Sequence, residues 1–289
     1  MSYVAGQDLG GLRADLGALP LGSVDSAGVA WRLQVLEGWD GAEVRTDMQP
    51  READHGAWAA PGYLGERPIT LGGLIEAPDR PALEEAMDRM RAEVGLADTV
   101  LTVWESTPKQ CLVRQSGRLV MQYQSDRIAT YSVLVTAPDP RRYGTVLRQA
   151  STALPVSTGG LAPPVTPPVT ITATTVVGSL DAANEGSFET RPVFVIDGPV
   201  DSPQILAQMP DGSVRFLTYS QSLATGDRLV LDTDAKSVIL NGNASRRRFL
   251  STPTGWPVIP AGSSVGVLFR AAFYNSGALL TVQWRPAWK

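Results

Sequence analysis

The sequence predicts a chain of two domains, an α+β domain followed by an all-β sandwich or jelly roll. Three observations lead to this prediction. The first half contains one helical pattern among strand-like segments, whereas the second half contains short strand-like segments separated by turn residues and no helical pattern. Between the halves, residues 150–169 contain five prolines, a Gly-Gly pair and no charged residue. The predicted domains are residues 1–149 and 170–289, and 150–169 is predicted to be a stiff, extended linker.

One segment of the first half has the periodicity of an amphipathic helix, predicted from Pro81 to Gly95. Asp79 precedes it in the N-cap position, and proline is tolerated in a first turn. The apolar residues that recur every three or four positions are Leu83, Met87, Met90 and Val94. Glu84 and Glu85 are adjacent, but neighbouring helix positions point about 100° apart, so they are predicted to be a solvated face and not an acid–base pair.

Six strands are predicted around this helix, and together they indicate an antiparallel sheet with one helix against it. They span residues 31–36, 68–76, 99–104, 110–115, 118–124 and 129–135. Residues 48–67 are rich in glycine, proline and charge, and this composition predicts a long loop.

Eight short strands are predicted in the second half, with turn residues such as Asn-Gly and Asp-Gly between them. They span residues 170–177, 192–196, 204–209, 214–219, 228–232, 237–241, 264–274 and 279–284. The last two are predicted to pair as a hairpin around residues 275–277. The rows predicted to face the core are Val265, Val267, Phe269, Ala271 and Phe273 in one strand and Leu280, Val282 and Trp284 in the other.

Composition and charge argue against several functional classes. The net charge of −4 does not favour counterion-release binding to a nucleic acid duplex, and no sequence-specific contact with nucleic acid is expected. The cluster Arg246–Arg248 is predicted to be a strand end or a subunit contact. A single cysteine, Cys111, excludes an internal disulfide and a cysteine-based zinc site, and its strand-like surroundings predict a buried residue and not a nucleophile. Neither a signal peptide nor a run of about 20 apolar residues is found, so synthesis in the cytoplasm without membrane insertion is expected.

Candidate catalytic and ligand-binding residues are few. His55 is the only histidine, no nucleophile motif surrounds a serine, and a solvent-exposed loop histidine is the expected reading. Asp232 and Asp234 resemble the start of a calcium loop that lacks its glycine and closing glutamate, so a turn is predicted. We therefore predict no catalytic, cofactor-binding or metal-binding residue and leave any ligand-binding residue unassigned. Three aromatic residues are predicted to be exposed, where they could stack on sugars or fill a subunit interface: Trp58, Tyr63 and Trp256.

Phrases along most of the chain resemble a known family, the distal tail proteins (Dit) of long-tailed phages, also called phage tail family or minor tail proteins. In the first half the resemblance rests on residues 68–76, the helix from Pro81 to Gly95, residues 100–104, and the strand and Asp-Pro exit of residues 133–143. In the second half it rests on residues 184–186, 192–200, 226–233, 238–243 and 282–288. Residues 48–67 fall where members of the family vary.

The resemblance implies a structural virion protein, and not an enzyme, at the distal tip of the tail. The N-terminal domain would form a hexameric ring that stacks on the tail tube and on the tail-tip hub protein. The C-terminal domain would be a galectin-like sandwich, tethered outside the ring by residues 150–169, that anchors receptor-binding or side-fibre proteins. Two other classes remain as alternatives: a carbohydrate-binding adhesin module, and a cell-wall hydrolase, which the single histidine and the lack of paired carboxylates disfavour.

Overall fold

The chain folds into two compact units, residues 1–145 with Lys289 and residues 146–288. The computed structural model describes Leu9 and residues 11–158 and 174–289. The described residues are mostly in β-strands and include one α-helix. At this level the predicted fold class is confirmed.

The first unit contains fourteen strands and helix α1 within its described residues. In chain order these are β1 (Ala14–Leu16), β2 (Leu19–Leu21), β3 (Ser23–Val24), β4 (Ala30–Glu37), β5 (Val44–Arg45), β6 (Met48–Pro50), β7 (Ala57–Ala59), β8 (Tyr63–Leu64), β9 (Arg67–Glu76), α1 (Arg80–Glu93), β10 (Thr99–Val103), β11 (Lys109–Gln115), β12 (Val120–Tyr123), β13 (Ile128–Ala137) and β14 (Arg142–Gly144). All six strands predicted for this half have counterparts here.

An antiparallel sheet organises the first unit, in the order β2-β1-β10-β11-β13-β9-β4-β3. Strand β12 pairs with β13, and β14 pairs with β11. The longest ladder joins β9 to β13 over ten residue pairs, from Ile128 opposite Glu76 to Ala137 opposite Arg67. The core is built from the inward rows of these strands, such as Trp31 on β4.

Helix α1 begins and packs as its sequence predicts. The Asp79 carboxylate accepts a hydrogen bond from the Ala82 backbone N–H at 2.9 Å, which satisfies one of the free donors of the first turn. The buried face consists of Leu83, Ala86, Met87 and Met90. Glu84 and Glu85 are exposed, and Gly95 follows the helix without adopting a left-handed φ. Within the described residues, no helix is long and apolar enough to cross a membrane.

Strands β4 and β9 approach so closely that one position requires glycine. A Cβ atom at Gly73 would lie 1.8 Å from the carbonyl oxygen of Arg32. The same oxygen accepts a hydrogen bond from the Tyr131 hydroxyl at 3.0 Å, and the register shifts by a bulge between Leu33 and Val35. Strands β13 and β4, which lie on either side of β9 in the same sheet, are therefore linked to each other at this point.

The described residues of the second unit contain β-strands and one 3₁₀ turn, at Arg247–Phe249, but no α-helix. Its strands within the described residues are β15 (Arg148–Ala153), β16 (Val156–Thr158), β17 (Thr174–Val176), β18 (Ser179–Asn184), β19 (Val193–Asp197), β20 (Gln204–Gln208), β21 (Val214–Tyr219), β22 (Arg228–Asp232), β23 (Ser237–Leu240), β24 (Ala244–Ser245), β25 (Leu250–Ser251), β26 (Ser263–Arg270), β27 (Leu279–Trp284) and β28 (Ala287–Trp288).

Two sheets form the sandwich. One has the order β15-β27-β19-β22-β23-β24 and the other β18-β26-β20-β21-β25, while β16 and β17 form a separate pair. The inward rows of both sheets meet in a single core, with Phe194 and Leu231 from the first sheet and Ile205 and Phe269 from the second. The sandwich prediction for this half agrees with this architecture.

The predicted hairpin of the last two strands is wrong. Strand β26 lies in one sheet and β27 in the other, so the chain crosses between the sheets over residues 271–278. The predicted row of β27 is buried throughout, and the row of β26 is buried as far as Phe269. Beyond that strand, Ala271 is half-buried and Phe273 is 73% exposed. Alternation identified the buried faces correctly, but two inward rows can face each other across a core as well as lie side by side.

The predicted linker begins too early. Strand β15 includes residues 150–153 and pairs with β27 over six residue pairs, from Arg148 opposite Trp284 to Ala153 opposite Leu279. Leu154 is buried in the sandwich core. An edge strand keeps half of its side chains in solvent, so its serine and threonine content resembles that of a linker. The rest of the predicted linker and the start of the first predicted sandwich strand, residues 159–173, lie outside the described residues.

Candidate assembly surfaces

The segment predicted as a long loop is an extended β-hairpin, which we call the arm (residues 43–63). Strand β6 pairs with β7 and β5 pairs with β8, so the arm consists of two successive ladders of short strands instead of an irregular loop. Every residue of the arm is exposed. An amphipathic pattern cannot develop where neither face is buried, which is why the sequence carried no strand signal.

Large apolar side chains are concentrated on the arm. Trp58 and Tyr63 are each 66% exposed, and Met48 and Val44 are more than half exposed. The Arg51 guanidinium lies 4.6 Å from the centre of the Trp58 ring, a cation–π contact that holds this indole against the hairpin. A two-stranded hairpin is marginally stable in water, and clustered exposed apolar residues mark interaction surfaces.

A fully buried arginine fixes the base of the arm. Arg67 follows the arm, and its Nε donates to the carbonyl oxygen of Pro140 at 2.9 Å. Its Nη1 donates to the carbonyl oxygens of Gly38 at 3.1 Å and Trp39 at 2.8 Å, both of which precede the arm. Burial, with the nearby charge of Arg142, lowers the pKa of the guanidinium below its ordinary value. One side chain therefore ties together the two ends of the arm.

A second contact network surrounds Trp39. Its indole N–H donates to Glu105 Oε1 at 2.7 Å, and the Lys109 ammonium donates to the other carboxylate oxygen. The guanidinium of Arg142 lies 5.4 Å from the centre of the indole ring. Burial alone would raise the pKa of Glu105, but hydrogen bonds from Lys109 and Trp39 lower it below its usual value. Trp39, which precedes the arm in the chain, is thus held by hydrogen bonds and charged side chains.

A groove runs between the end of α1 and strand β12, and we call it the helix-end groove. It is lined by Arg91, Val94, Gln115, Arg118, Leu119, Val120, Met121 and Gln122. Arg118 makes no ion pair with the described part of the chain, whereas Arg91 pairs with Asp88. The lining contains two cations and no carboxylate, and Leu96, 87% exposed, lies just beyond the helix. Sequence patterns do not predict this groove, because its residues come from separate elements.

The two candidate nucleophile or base residues lie apart. His55 is exposed near the tip of the arm, where its backbone N–H donates to Asp54 Oδ1 at 2.7 Å. Cys111 is buried in β11, and burial raises the pKa of its thiol to about 12 despite the nearby charge of Arg67. At neutral pH such a thiol stays protonated and is a poor nucleophile.

The remaining candidate residues lie in the sandwich and make structural contacts. The Asp232 carboxylate accepts the backbone N–H groups of Asp234 and Ala235, as in a turn. Within the described residues, no group of three or more potential metal ligands is found. Arg247 stacks on Trp256, which is half-buried instead of exposed as predicted. The neighbouring arginines, Arg246 and Arg248, stack on Phe249.

The outer face of the first sandwich sheet has a hollow, and its lining can be compared with what the carbohydrate-binding adhesin alternative requires. It is lined by Gln149, Ser151, Val193, Val195, Arg228, Val230, Thr281 and Gln283. Ser151 and Thr281 share a hydrogen bond of 2.8 Å, and Arg228 is paired with Asp197 at 2.7 Å. The lining contains polar groups but no aromatic ring on which a sugar could stack.

Comparison with known proteins identifies the architecture. Residues 185–288 match the family described as "Siphovirus-type tail component, C-terminal domain". The whole chain is similar to the crystal structure of the Dit protein (gp 19.1) of phage SPP1, with a TM-score of 0.65 and 11% identity over 96% of this chain and 98% of that chain. The resemblance to distal tail proteins is confirmed. The SPP1 protein is described as a paradigm of the hub adsorption apparatus in phages that infect Gram-positive bacteria.

Baseplate structures share the fold more distantly. Chains of the phage P2 baseplate in its activated conformation, with calcium or with strontium, give TM-scores of 0.51 and 0.50 at 8% identity. Each comparison covers 91% of this chain and 99% of the other. No curated protein matches the chain by sequence. At these identities the structural likeness shows the fold, and together with the family match it supports a structural role in a phage tail or baseplate.

Proposed function

We propose that the chain is a distal tail adaptor, a structural virion protein that joins the tail tube of a long-tailed phage to the tail-tip hub or baseplate. The observation that carries the proposal is the likeness to SPP1 Dit, which extends over both units and covers nearly all of each chain. The family match of residues 185–288 to a tail component supports it independently of the overall fold comparison.

In this proposal the two units have different tasks. Six copies of the first unit form a ring that stacks on the tube and the hub, and the arm and the helix-end groove supply exposed surface for such contacts. The second unit, a galectin-like sandwich, lies outside the ring and anchors receptor-binding or side-fibre proteins. The protein is made in the host cytoplasm and is incorporated at the distal end of the virion tail.

The proposed role involves binding and no reaction, so we propose that the chain is neither an enzyme nor dependent on a cofactor. Its function would depend on rigid surfaces and on symmetry instead of on a reactive group. The buried, protonated thiol of Cys111 and the isolated position of His55 at the tip of the arm are consistent with this proposal.

The test is the oligomeric state of the purified full-length chain. Electron microscopy should show a six-fold ring, and mass measurement should give six copies of the 30.8 kDa chain, about 185 kDa. Labelling of intact virions should place the protein at the tail tip. A protein that remains monomeric at all concentrations and binds glycan arrays tightly would instead establish the adhesin alternative.

A further inference from the structure

We propose that Arg246, Arg247 and Arg248, which we call the arginine patch, bind an acidic segment of a receptor-binding or side-fibre protein. This inference rests on the proposed anchoring role of the second unit and names the surface that performs it. Three positive charges in adjacent positions repel one another, so the patch does not serve the stability of the sandwich. Carboxylates supplied by a partner would remove this repulsion.

The first argument is that the patch has no carboxylate partner of its own. Within the described residues, none of its three guanidinium groups forms an ion pair. Asp227 is close enough to sense the charge of Arg246, but hydrogen bonds from Asn241 and from the Ala224 N–H contribute more to the lowering of its pKa. Other arginines of the sandwich are paired: Arg148 with Glu185, Arg191 with Asp234 and Arg228 with Asp197.

Aromatic rings hold the patch in place, which is the second argument. The guanidinium groups of Arg246 and Arg248 lie 6.0 Å and 4.5 Å from the centre of the Phe249 ring. That of Arg247 lies 5.2 Å from the centre of the Trp256 ring. A guanidinium stacked through its face keeps N–H groups at its rim for a carboxylate, and its restricted motion lowers the entropy lost on binding.

The third argument is the position of the patch where both sheets of the sandwich end. Within the described residues, β24 pairs only with β23, and β25 pairs only with β21. The patch lies on the connection between these two edge strands. Cations at a strand edge oppose pairing with a second copy of the same chain, because like charges would meet. An acidic segment meets no such repulsion, so the edge favours a partner of opposite charge.

The surroundings of the patch favour a protein over an anionic cell-wall polymer. Arginine, tryptophan and other aromatic residues are enriched in protein interfaces, and here Phe249 and Trp256 are half-buried beside the arginines. A polymer of sugar and phosphate is bound through charge alone and gains nothing from a strand edge. The occupant to which we commit is therefore a protein segment rich in aspartate or glutamate.

The first experiment measures the binding of a defined acidic peptide to the purified full-length chain. The probe is a fluorescein-labelled decapeptide of glutamate, and fluorescence anisotropy gives its dissociation constant. Arg248→Glu should weaken binding by about tenfold or more, because the carboxylates of the peptide then meet a like charge. Arg127→Glu, which reverses an exposed arginine of the first unit, is the matched control and should change binding by less than about twofold.

The second experiment counts the proteins of virions built with each variant. Mass spectrometry of purified particles gives the amount of each receptor-binding or side-fibre protein relative to the tail tube protein. Arg248→Glu should lower one of them by about fivefold or more, whereas Arg127→Glu should leave all of them within about twofold. Both residues are exposed, so melting temperatures close to that of the unsubstituted chain verify that the variants fold.

Unchanged composition of the Arg248→Glu virions would refute the proposal while leaving the ring intact, whatever the peptide binds. Unchanged composition together with weaker binding of polyglycerol phosphate to the variant would assign the patch to an anionic cell-wall polymer instead. An unsubstituted chain that forms no ring would refute the proposed function itself, so the two failures are distinguishable.

Discussion

The arm and strand β9 are neighbours in the chain but are stabilised in opposite ways. Strand β9 is paired on both sides, by β4 and β13, and its inward row is buried. Among the residues that the structure describes, the arm is paired only with itself, through two short ladders, and all its side chains are exposed. Burial orders β9, whereas local pairing and the anchor at Arg67 order the arm. In this chain β-structure therefore occurs without a buried face where its base is held by a buried side chain.

The largest expected effect is on the anchor between these regions. Arg67→Met should lower the free energy of unfolding of the first unit by about 3 kcal/mol or more, because three carbonyl oxygens around this buried side chain lose their donor. Hydrogen–deuterium exchange of the β9 amides in increasing urea measures this loss within one unit.

The matched control is Arg45→Met, which replaces an exposed arginine of the arm. It should change the same free energy by less than about 0.5 kcal/mol. Equal effects of the two substitutions would show that Arg67 is not the anchor of the arm.

The second prediction concerns the close approach of strands β4 and β9 in the first unit. Gly73→Ala places a Cβ atom against the Arg32 carbonyl oxygen, so β4 and β9 must separate, at a cost of about 1–3 kcal/mol. Gly41→Ala, just before the arm, meets nothing within 4 Å and should cost less than about 0.5 kcal/mol. Urea unfolding of both variants checks the difference, and a neutral Gly73→Ala would contradict the close approach.

The smallest expected effect is on the stability of the first unit at low pH. The Asp25 carboxylate accepts hydrogen bonds from the Trp31 indole and the Val29 amide and pairs with Arg89 at 2.8 Å. Burial alone would raise its pKa, but these partners together lower it below the ordinary 3.8. Its stabilising effect is therefore complete above about pH 4 and is lost as the pH falls through the lower pKa of the folded state.

Asp25→Asn should consequently cost about 1 kcal/mol at neutral pH and flatten the loss of stability below pH 4. Thermal unfolding measured between pH 2.5 and 7 checks both expectations. Asp54→Asn in the arm removes an exposed ion pair and should leave the profile unchanged. An identical acid slope in the Asp25 variant and the unsubstituted chain would contradict the assignment.

Sequence patterns predicted those elements that have one buried and one exposed face. Helix α1 was predicted because one face is apolar and Asp79 caps it, and the core rows of β26 and β27 were predicted because alternate residues are buried. Less of the candidate surfaces was predicted from the sequence. Trp58 and Tyr63 were identified as exposed aromatics, but the helix-end groove and the buried role of Arg67 depend on residues far apart in the chain.

The sequence by itself determined the class of each half, the single helix and the resemblance to distal tail proteins, because periodicity, capping and turn residues are local properties. Only the tertiary structure decided that β26 and β27 lie in opposite sheets, that β15 belongs to the sandwich, and that the loop is an arm. Those outcomes depend on which strand forms backbone hydrogen bonds with which. The alternation of apolar and polar residues along a strand is the same whichever strand it pairs with.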